Sequence, residues 1–394
     1  MNADEFIQSH KSEPLDKLAF ALSKRSDIDA RYVLRQIEGW QRLRTKVPTW
    51  AAQERLQYPA RISLEQCSGE PAARYKASVA ERICANRVDF ADLTGGLGVD
   101  FSFLAPLFRS SVYVEHNTEL VQLARHNFPL LGLDSAKVVD MEAEEWLRLQ
   151  ETEFSLLYLD PARRDAAGRK TVALADCTPD VSVLLPRLLA LAPHVMLKLS
   201  PLFDLTLAER QLGCVAEAHF VESGGECREL LLVLSRDAST STRIVCRTDD
   251  ALFSFTREEE AAACPEYVSS LDDAEYLYEP APAVLSAGAF RLVAVRFGLK
   301  KLSAQSHLYV SSALVRNFPG RTYRILRHSS FARAELARFK DGTRAAGLTV
   351  RGFPASVRDL RKRLSIAEGG TEQWFAATLA DGTHRIIATI SVRL

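Results

Sequence analysis

The chain has 394 residues, enough for two or three domains, and its 47% apolar, 25% charged and 8% aromatic residues are an ordinary globular composition; disorder, collagen-like and low-complexity architectures are excluded. No apolar run reaches the roughly 18–20 residues of a spanning helix, and the polar, acidic start MNADEFIQSHKSEP lacks the features of a secretory signal, so a cytoplasmic protein with no membrane partner is expected. The formal net charge of +0 hides an asymmetry, because residues 321–394 carry 14 Lys/Arg against 6 Asp/Glu while the first 320 carry 36 against 44. A basic terminal segment on a mildly acidic body is the pattern of a chain that grips a polyanion.

In chain order, residues 1–84 read as a helical region. Helical spacing of apolar residues runs from Pro14 to Leu22 and again from Tyr32 to Trp40, and a third helix is predicted from Pro71 through Tyr75, Val79 and Ile83. From about residue 85 the texture changes. Short apolar runs at Val88–Leu93, Ser111–Glu115, Ala136–Val139, Ser155–Asp160, Val195–Lys198 and Leu230–Ser235 alternate with helical patterns, which predicts βαβ crossovers and a mainly parallel sheet over 85–274. Within it, Arg243–Cys246 reads as a returning strand. Residues 275–320 read as a small α+β module, with a helix near Pro282–Phe290 and strands at Val293–Phe297 and His307–Val310. The segment 321–394 shows strands at Arg321–Arg327 and Gly347–Arg351 and helices at Phe331–Lys340 and Ala355–Leu364. A hairpin follows, from Trp374–Thr378 to Arg385–Ile390, turning on Asp381-Gly382. The seven cysteines form no CxxC pair, so neither a zinc site nor a disulfide framework is expected, and no metal.

The sharpest chemical feature is the stretch FADLTGGLGVD at 90–100, in which an apolar strand ends on Asp92, a glycine turn (Thr94, Gly95, Gly96, Gly98) follows, and a helix begins. Such a turn brings backbone N–H groups to a ligand at a helix start. The next strand ends on Glu115, about 20 residues on, where an acid can hold ribose hydroxyls.

These residues resemble the class I S-adenosylmethionine-dependent methyltransferases, whose first strand ends in an acid and a turn of the form DxGxGxG; here Thr94 stands for the first glycine. The resemblance continues in order: Glu115 matches the ribose-binding acid, Glu142-Ala143 the adenine signature, and Asp160-Pro161-Ala162-Arg163 the signature beside the transferred methyl. It implies a Rossmann-like α/β sheet with an N-terminal helical region and C-terminal α+β modules, S-adenosylmethionine as cofactor, and cofactor contacts from Asp92, Leu93, Thr94, Gly95, Gly96, Gly98, Glu115, Glu142, Ala143 and Asp160.

For the acceptor, base N-methyltransferases carry an aromatic after Asp/Asn-Pro-Pro, and this chain has Arg163-Arg164 there instead. The turn is also similar to that of a ribosomal guanine-N2 group. A Lys-Asp-Lys-Glu tetrad, as in ribose 2′-O-methyltransferases of the heat-shock ribosomal type, can be drawn from Lys76, Asp160, Lys198 and Glu229. A lysine held among carboxylates can take or stabilise the charge of a ribose hydroxyl. Ribose 2′-O is therefore the first choice and guanine N2 the second, with a small-molecule methyltransferase or a non-catalytic RNA-binding protein as rivals. Arg163 and Arg164 are candidate phosphate contacts. Ser68 and Glu70 read as caps of the helix bearing Lys76. The segment 321–394 resembles the THUMP-like domain of some bacterial methyltransferases, on Gly347–Pro354, Leu360–Leu364 and Trp374-Phe375. This resemblance implies a ribosomal or transfer RNA partner, with Arg351, Arg358, Arg361, Lys362 and Arg363 as phosphate contacts.

Overall fold

A computed structural model describes residues 2–163, 174–239, 241–340 and 342–392. The chain divides into two compact units, one of residues 1–218 and 229–240 and one of 219–228 and 241–394.

The first unit opens with helices α1 (Ala3–His10), α2 (Leu15–Leu22) and α3 (Ala30–Lys46), closed around Phe6, Leu18, Leu22, Val33 and Ile37. Then come α4 (Pro48–Ala51), α5 (Arg61–Gln66) and α6 (Glu70–Ile83). Pro71 sits in the first turn of α6, where its missing N–H costs nothing.

The βαβ segment runs β1 (Asp89–Asp92), α7 (Val99–Leu104), β2 (Ser110–Glu115), α8 (Thr118–Leu130), β3 (Lys137–Asp140), α9 (Ala143–Leu149) and β4 (Leu156–Leu159). A two-residue pairing joins β5 (Ala162–Arg163) to β6 (Cys177–Thr178), followed by α10 (Val181–Leu191), β7 (His194–Leu199) and α11 (Leu205–Leu212). The hairpin β8 (Val215–Ser223) and β9 (Glu226–Ser235) joins the sheet next to β7. Strand order is β3-β2-β1-β4-β7-β9-β8; the first five are parallel and β9 runs against β7. The parallel part is the sheet of a Rossmann-like fold.

Register fixes what faces what. Asp92 is opposite Tyr158 and Tyr113, Tyr158 is opposite Met196, and Lys198 is opposite Leu231. Because side chains alternate with period two, Asp92, Tyr158, Asp160, Lys198 and Glu229 share one face of the sheet. Below them that face is the apolar cluster of Phe90, Leu156, Met196, Leu231 and Val233, which Val79 and Ala80 of α6, Phe101 of α7 and Phe128 of α8 cover.

In the second unit the hairpin tip 219–228 groups with β10 (Arg243–Arg247), β11 (Leu252–Phe255) and α12 (Arg257–Ala262). A seven-stranded sheet follows, built from β12 (Tyr276–Pro280), β13 (Lys300–Lys301), β14 (Tyr309–Ser311), β15 (Gly320–Ser330), β16 (Gly347–Arg351), β17 (Gln373–Thr378) and β18 (His384–Val392). Its order is β13-β14-β12-β15-β18-β17-β16. Alternation along β17 sends Phe375 and Ala377 to one core, with Leu277 and Tyr323. Trp374 and Ala376 go to the other, under α15 (Arg333–Lys340) and α16 (Val357–Leu364).

One element is corrected. Val293–Phe297, expected as a strand, lies in a helix, α14 (Leu292–Phe297), which follows α13 (Pro282–Ala287). The carboxylate of Glu260 accepts the N–H groups of Phe290, Arg291 and Leu292 at 3.1, 2.8 and 2.8 Å, and Gly298 ends the helix in the left-handed region. This distant cap and stop outweigh the strand preference of two valines.

Candidate active site

The glycine turn is stitched to the strands on either side of β1. Leu93 N–H donates to the carbonyl of Tyr158 and Gly95 N–H to that of Val114, each at 2.9 Å. A Cβ on Gly95 would stand 2.2 Å from the Tyr113 ring, so only glycine fits. Gly98 has φ +85 and starts α7.

Thr94, the departure from the expected glycine, has a use. Its hydroxyl accepts the backbone N–H of Asp160 at 2.6 Å, fastening the end of β4 to the turn. Asp92 is buried and accepts from Thr94 N–H at 3.0 Å. Burial, with the charges of Asp100, Asp160 and Glu115, holds its carboxyl well above the usual carboxylate range. Glu115, also buried, accepts from the N–H of Gly96 at 2.8 Å and from those of His116 and Asn117 at 3.0 and 2.8 Å. Glu142 precedes α9, with Ala143 its first residue; the Glu142 side chain is 59% exposed and lies 3.8 Å from His116 Nδ1. The candidate cofactor residues thus gather at the carboxyl ends of β1, β2, β3 and β4, the end at which open α/β sheets bind ligands. Their carboxylates suit a ligand with positive charge on one part and ribose hydroxyls on another.

Lys76, Asp160, Lys198 and Glu229 are brought together, but they are not alike. Asp160 and Lys198 form an ion pair with side chains 38% and 15% exposed. Burial alone would lower the Lys198 pKa, but Asp160, Glu229 and Asp100 outweigh it and raise it, so the ammonium persists through the neutral range. Lys76, on α6, is wholly buried and donates to both oxygens of Glu229 at 2.9 and 2.9 Å. Arg228, the neighbour that could have taken Glu229, pairs with Glu226 instead.

Sequence reasoning did not single out Asp100 or Tyr158, and it misread Ser68. The N-cap of α6 is Gly69, without a side-chain cap. Ser68 instead donates to Asp100 at 2.8 Å and accepts from Lys76 at 2.9 Å. Glu70 accepts from Thr49 and Arg74. A cap needs a free N–H within reach; a buried ammonium and carboxylate offered Ser68 stronger partners, and the Arg74 guanidinium and Thr49 offered them to Glu70.

Arg163 ends β5, and Arg164 lies outside the described residues. In the second unit, Arg351 pairs with Glu279 at 2.9 Å, Arg361 donates to the Ala346 carbonyl at 3.2 Å, and Arg363 lies 4.0 Å over the Phe331 ring. Arg358 and Lys362 are exposed on α16. Among the described residues no helix is long and apolar enough to cross a membrane, and no group of three or more His, Cys, Asp or Glu side chains is placed to hold a metal.

A parallel sheet with a glycine turn after β1 and acids at the ends of its first, second and fourth strands defines a class I methyltransferase. Comparison with known proteins gives the family. A crystal structure described as a "putative methyltransferase" from Porphyromonas gingivalis W83 matches at 35% identity with a TM-score of 0.86, over 99% of this chain and 98% of that one. The chain belongs to the family of that methyltransferase. Residues 276–319 match a ferredoxin-like domain and residues 320–390 a THUMP domain-like family. A SAM-dependent methyltransferase from Agrobacterium tumefaciens matches at 14% identity and TM-score 0.33, over 42% of this chain and 61% of that one. An rRNA methylase from Streptococcus thermophilus matches at 13% and 0.31, over 41% and 93%. At that distance neither speaks to chemistry. No curated protein matches the chain. S-adenosylmethionine is the methyl donor of this enzyme class.

Proposed function

We propose that the protein methylates RNA, with Asp160 and Lys198 at the acceptor and the THUMP-like module holding the polynucleotide. The observation that carries this is the partly exposed Asp160–Lys198 pair at the ends of β4 and β7, fastened to the glycine turn through Thr94. Bound S-adenosylmethionine would supply an electrophilic methyl on a sulfonium. Asp92 and Glu115 would hold its cationic and ribose parts, while Glu142 and Ala143 would face the base. Asp160 orients the acceptor by taking a hydrogen bond from its O–H or N–H, and Lys198 faces the same atom as a cation. Positioning of this kind supplies most of the acceleration in a direct displacement.

Ribose 2′-O is favoured as the acceptor by the convergence of Lys76, Asp160, Lys198 and Glu229. Guanine N2 is the second reading, favoured by the raised Lys198 pKa, since an ammonium is a poor base and an exocyclic amine loses its proton after attack. The +8 excess over 321–394 supports a polyanionic substrate.

The test is transfer of labelled methyl to total RNA from a strain lacking the gene, followed by nucleoside analysis. Labelled 2′-O-methylnucleoside supports the first reading and N2-methylguanosine the second. Binding of S-adenosylhomocysteine with no RNA labelled would favour a small-molecule acceptor. Asp160→Asn should lower transfer by about 10²-fold or more while the fold persists, and full activity in that variant would remove Asp160 from the site.

A further inference from the structure

Asp100 stands in the first turn of α7, and nine-tenths of its side chain is buried. Its Oδ2 accepts from Ser68 at 2.8 Å and from the Tyr158 hydroxyl at 2.7 Å, and its Oδ1 lies 3.0 Å from Lys76 Nζ. Lys76 is thereby held between Asp100 and Glu229, and neither Lys76 nor Glu229 is exposed enough to touch an acceptor. Buried ionic clusters are a weak device for stability, because apolar replacements of the same volume often serve as well or better. This one faces the Asp160–Lys198 pair.

We propose that Asp100 is a positioning residue for methyl transfer: held by Tyr158 and Ser68, it fixes the Lys76–Glu229 pair beside Lys198, so that Lys198 meets the acceptor as a fixed cation aligned with Asp160. The inference rests on the reading of Asp160 and Lys198 as the acceptor pair. Lys198 is faced by Asp160 from the end of β4, Glu229 from β9, Asp100 from α7 and Cys67 from the end of α5. Tyr158, Asp92 and Lys76 complete the charged and titratable surroundings of these carboxylates. Asp100 is thus one of three carboxylates that keep Lys198 protonated.

The test uses the full chain with Asp100→Asn and Tyr158→Phe, assayed on total RNA from the deletion strain. Asp100→Asn should lower kcat roughly 10- to 100-fold while the KM for RNA and the affinity for S-adenosylhomocysteine stay within about twofold. The alkaline limit of activity should move down, as Lys198 loses a carboxylate neighbour. Tyr158→Phe should act in the same direction, about 3- to 10-fold, because it removes only one hydrogen bond to Asp100. If Asp100→Asn does not fold, Tyr158→Phe carries the test on the same readouts. Unchanged kcat and pH limit in a folded variant would overturn the proposal. So would lost S-adenosylhomocysteine affinity at unchanged kcat, which would make Asp100 a cofactor ligand. A wild-type protein that labels no RNA counts against the acceptor reading instead. In that case the rate of Lys198 acetylation by acetic anhydride at one fixed alkaline pH, read by mass spectrometry, still decides: Asp100→Asn must raise it by freeing more of the amine, and an identical rate overturns the proposal.

Discussion

Replacing Lys76 by methionine removes a buried cation and keeps most of its volume. The ammonium lies 2.9 Å from both Glu229 oxygens and 3.0 Å from Asp100 Oδ1. At an effective dielectric near 20, each contact is worth roughly 5–6 kcal/mol before desolvation is subtracted, and desolvation of the buried ions cancels much of that. What Lys76→Met leaves behind is the costly part: Glu229, 2% exposed, without the ammonium that donates to both its oxygens. The expected loss is about 3–5 kcal/mol, or a drop in Tm of roughly 6–20 °C for a unit of this size. Urea unfolding followed by circular dichroism measures the loss. The double variant Lys76→Met with Glu229→Leu should recover most of the loss, since Asp100 keeps Ser68 and Tyr158 as donors. A single-variant loss under about 1 kcal/mol would refute the picture of a closed, mutually dependent ion cluster.

Thr94→Ala removes the acceptor of the Asp160 N–H, an unsatisfied group worth about 1–3 kcal/mol, and should lower kcat/KM about 10- to 100-fold, whereas Thr94→Ser should retain activity; equal losses in the two variants would dismiss the hydroxyl. Gly95→Ala drives a methyl into the Tyr113 ring and should cost about 1–3 kcal/mol together with S-adenosylhomocysteine binding, so a wild-type melting temperature would contradict the packing. Arg358→Ala with Lys362→Ala should reduce the slope of log affinity against log salt for RNA by about 1.5–2; an unchanged slope would take α16 out of the RNA contact.

Much of the catalytic fold can be read along the chain because its signals are local. The turn 93–98 carries its glycines side by side, each parallel strand is a short apolar run, and Asp92, Glu115 and Asp160 close their strands or follow directly on them. Strand β8 escaped because Glu217, His219 and Glu222 interrupt its alternation; His219 and Glu222 are nonetheless buried. Helix α14 escaped because its cap comes from Glu260, some thirty residues upstream, and no window over Val293–Phe297 contains that carboxylate.

The site shows the same division between local and distant information. Lys76 and Glu229 are separated by 153 positions, so their chemistry can nominate them as a set while nothing in the spacing says which of them solvent reaches. That distinction follows from packing: α6 lies over the sheet face and carries Lys76 into the interior, whereas Lys198 and Asp160 stand where the strands end. Asp100 and Tyr158 left faint marks in the sequence, a carboxylate in the first turn after the glycines and an aromatic two residues before Asp160. The parity of β4 alone puts Tyr158 on the face that Asp160 follows. Combining that parity with a polar residue at the helix start would have marked the pair, and only the tertiary fold brings Ser68 to join them. Ser68 shows why local grammar misleads here. A serine just before a helix is ordinarily a cap, yet a buried ammonium and a carboxylate within 3 Å offer stronger hydrogen bonds than a peptide N–H, and the side chain goes to the charges.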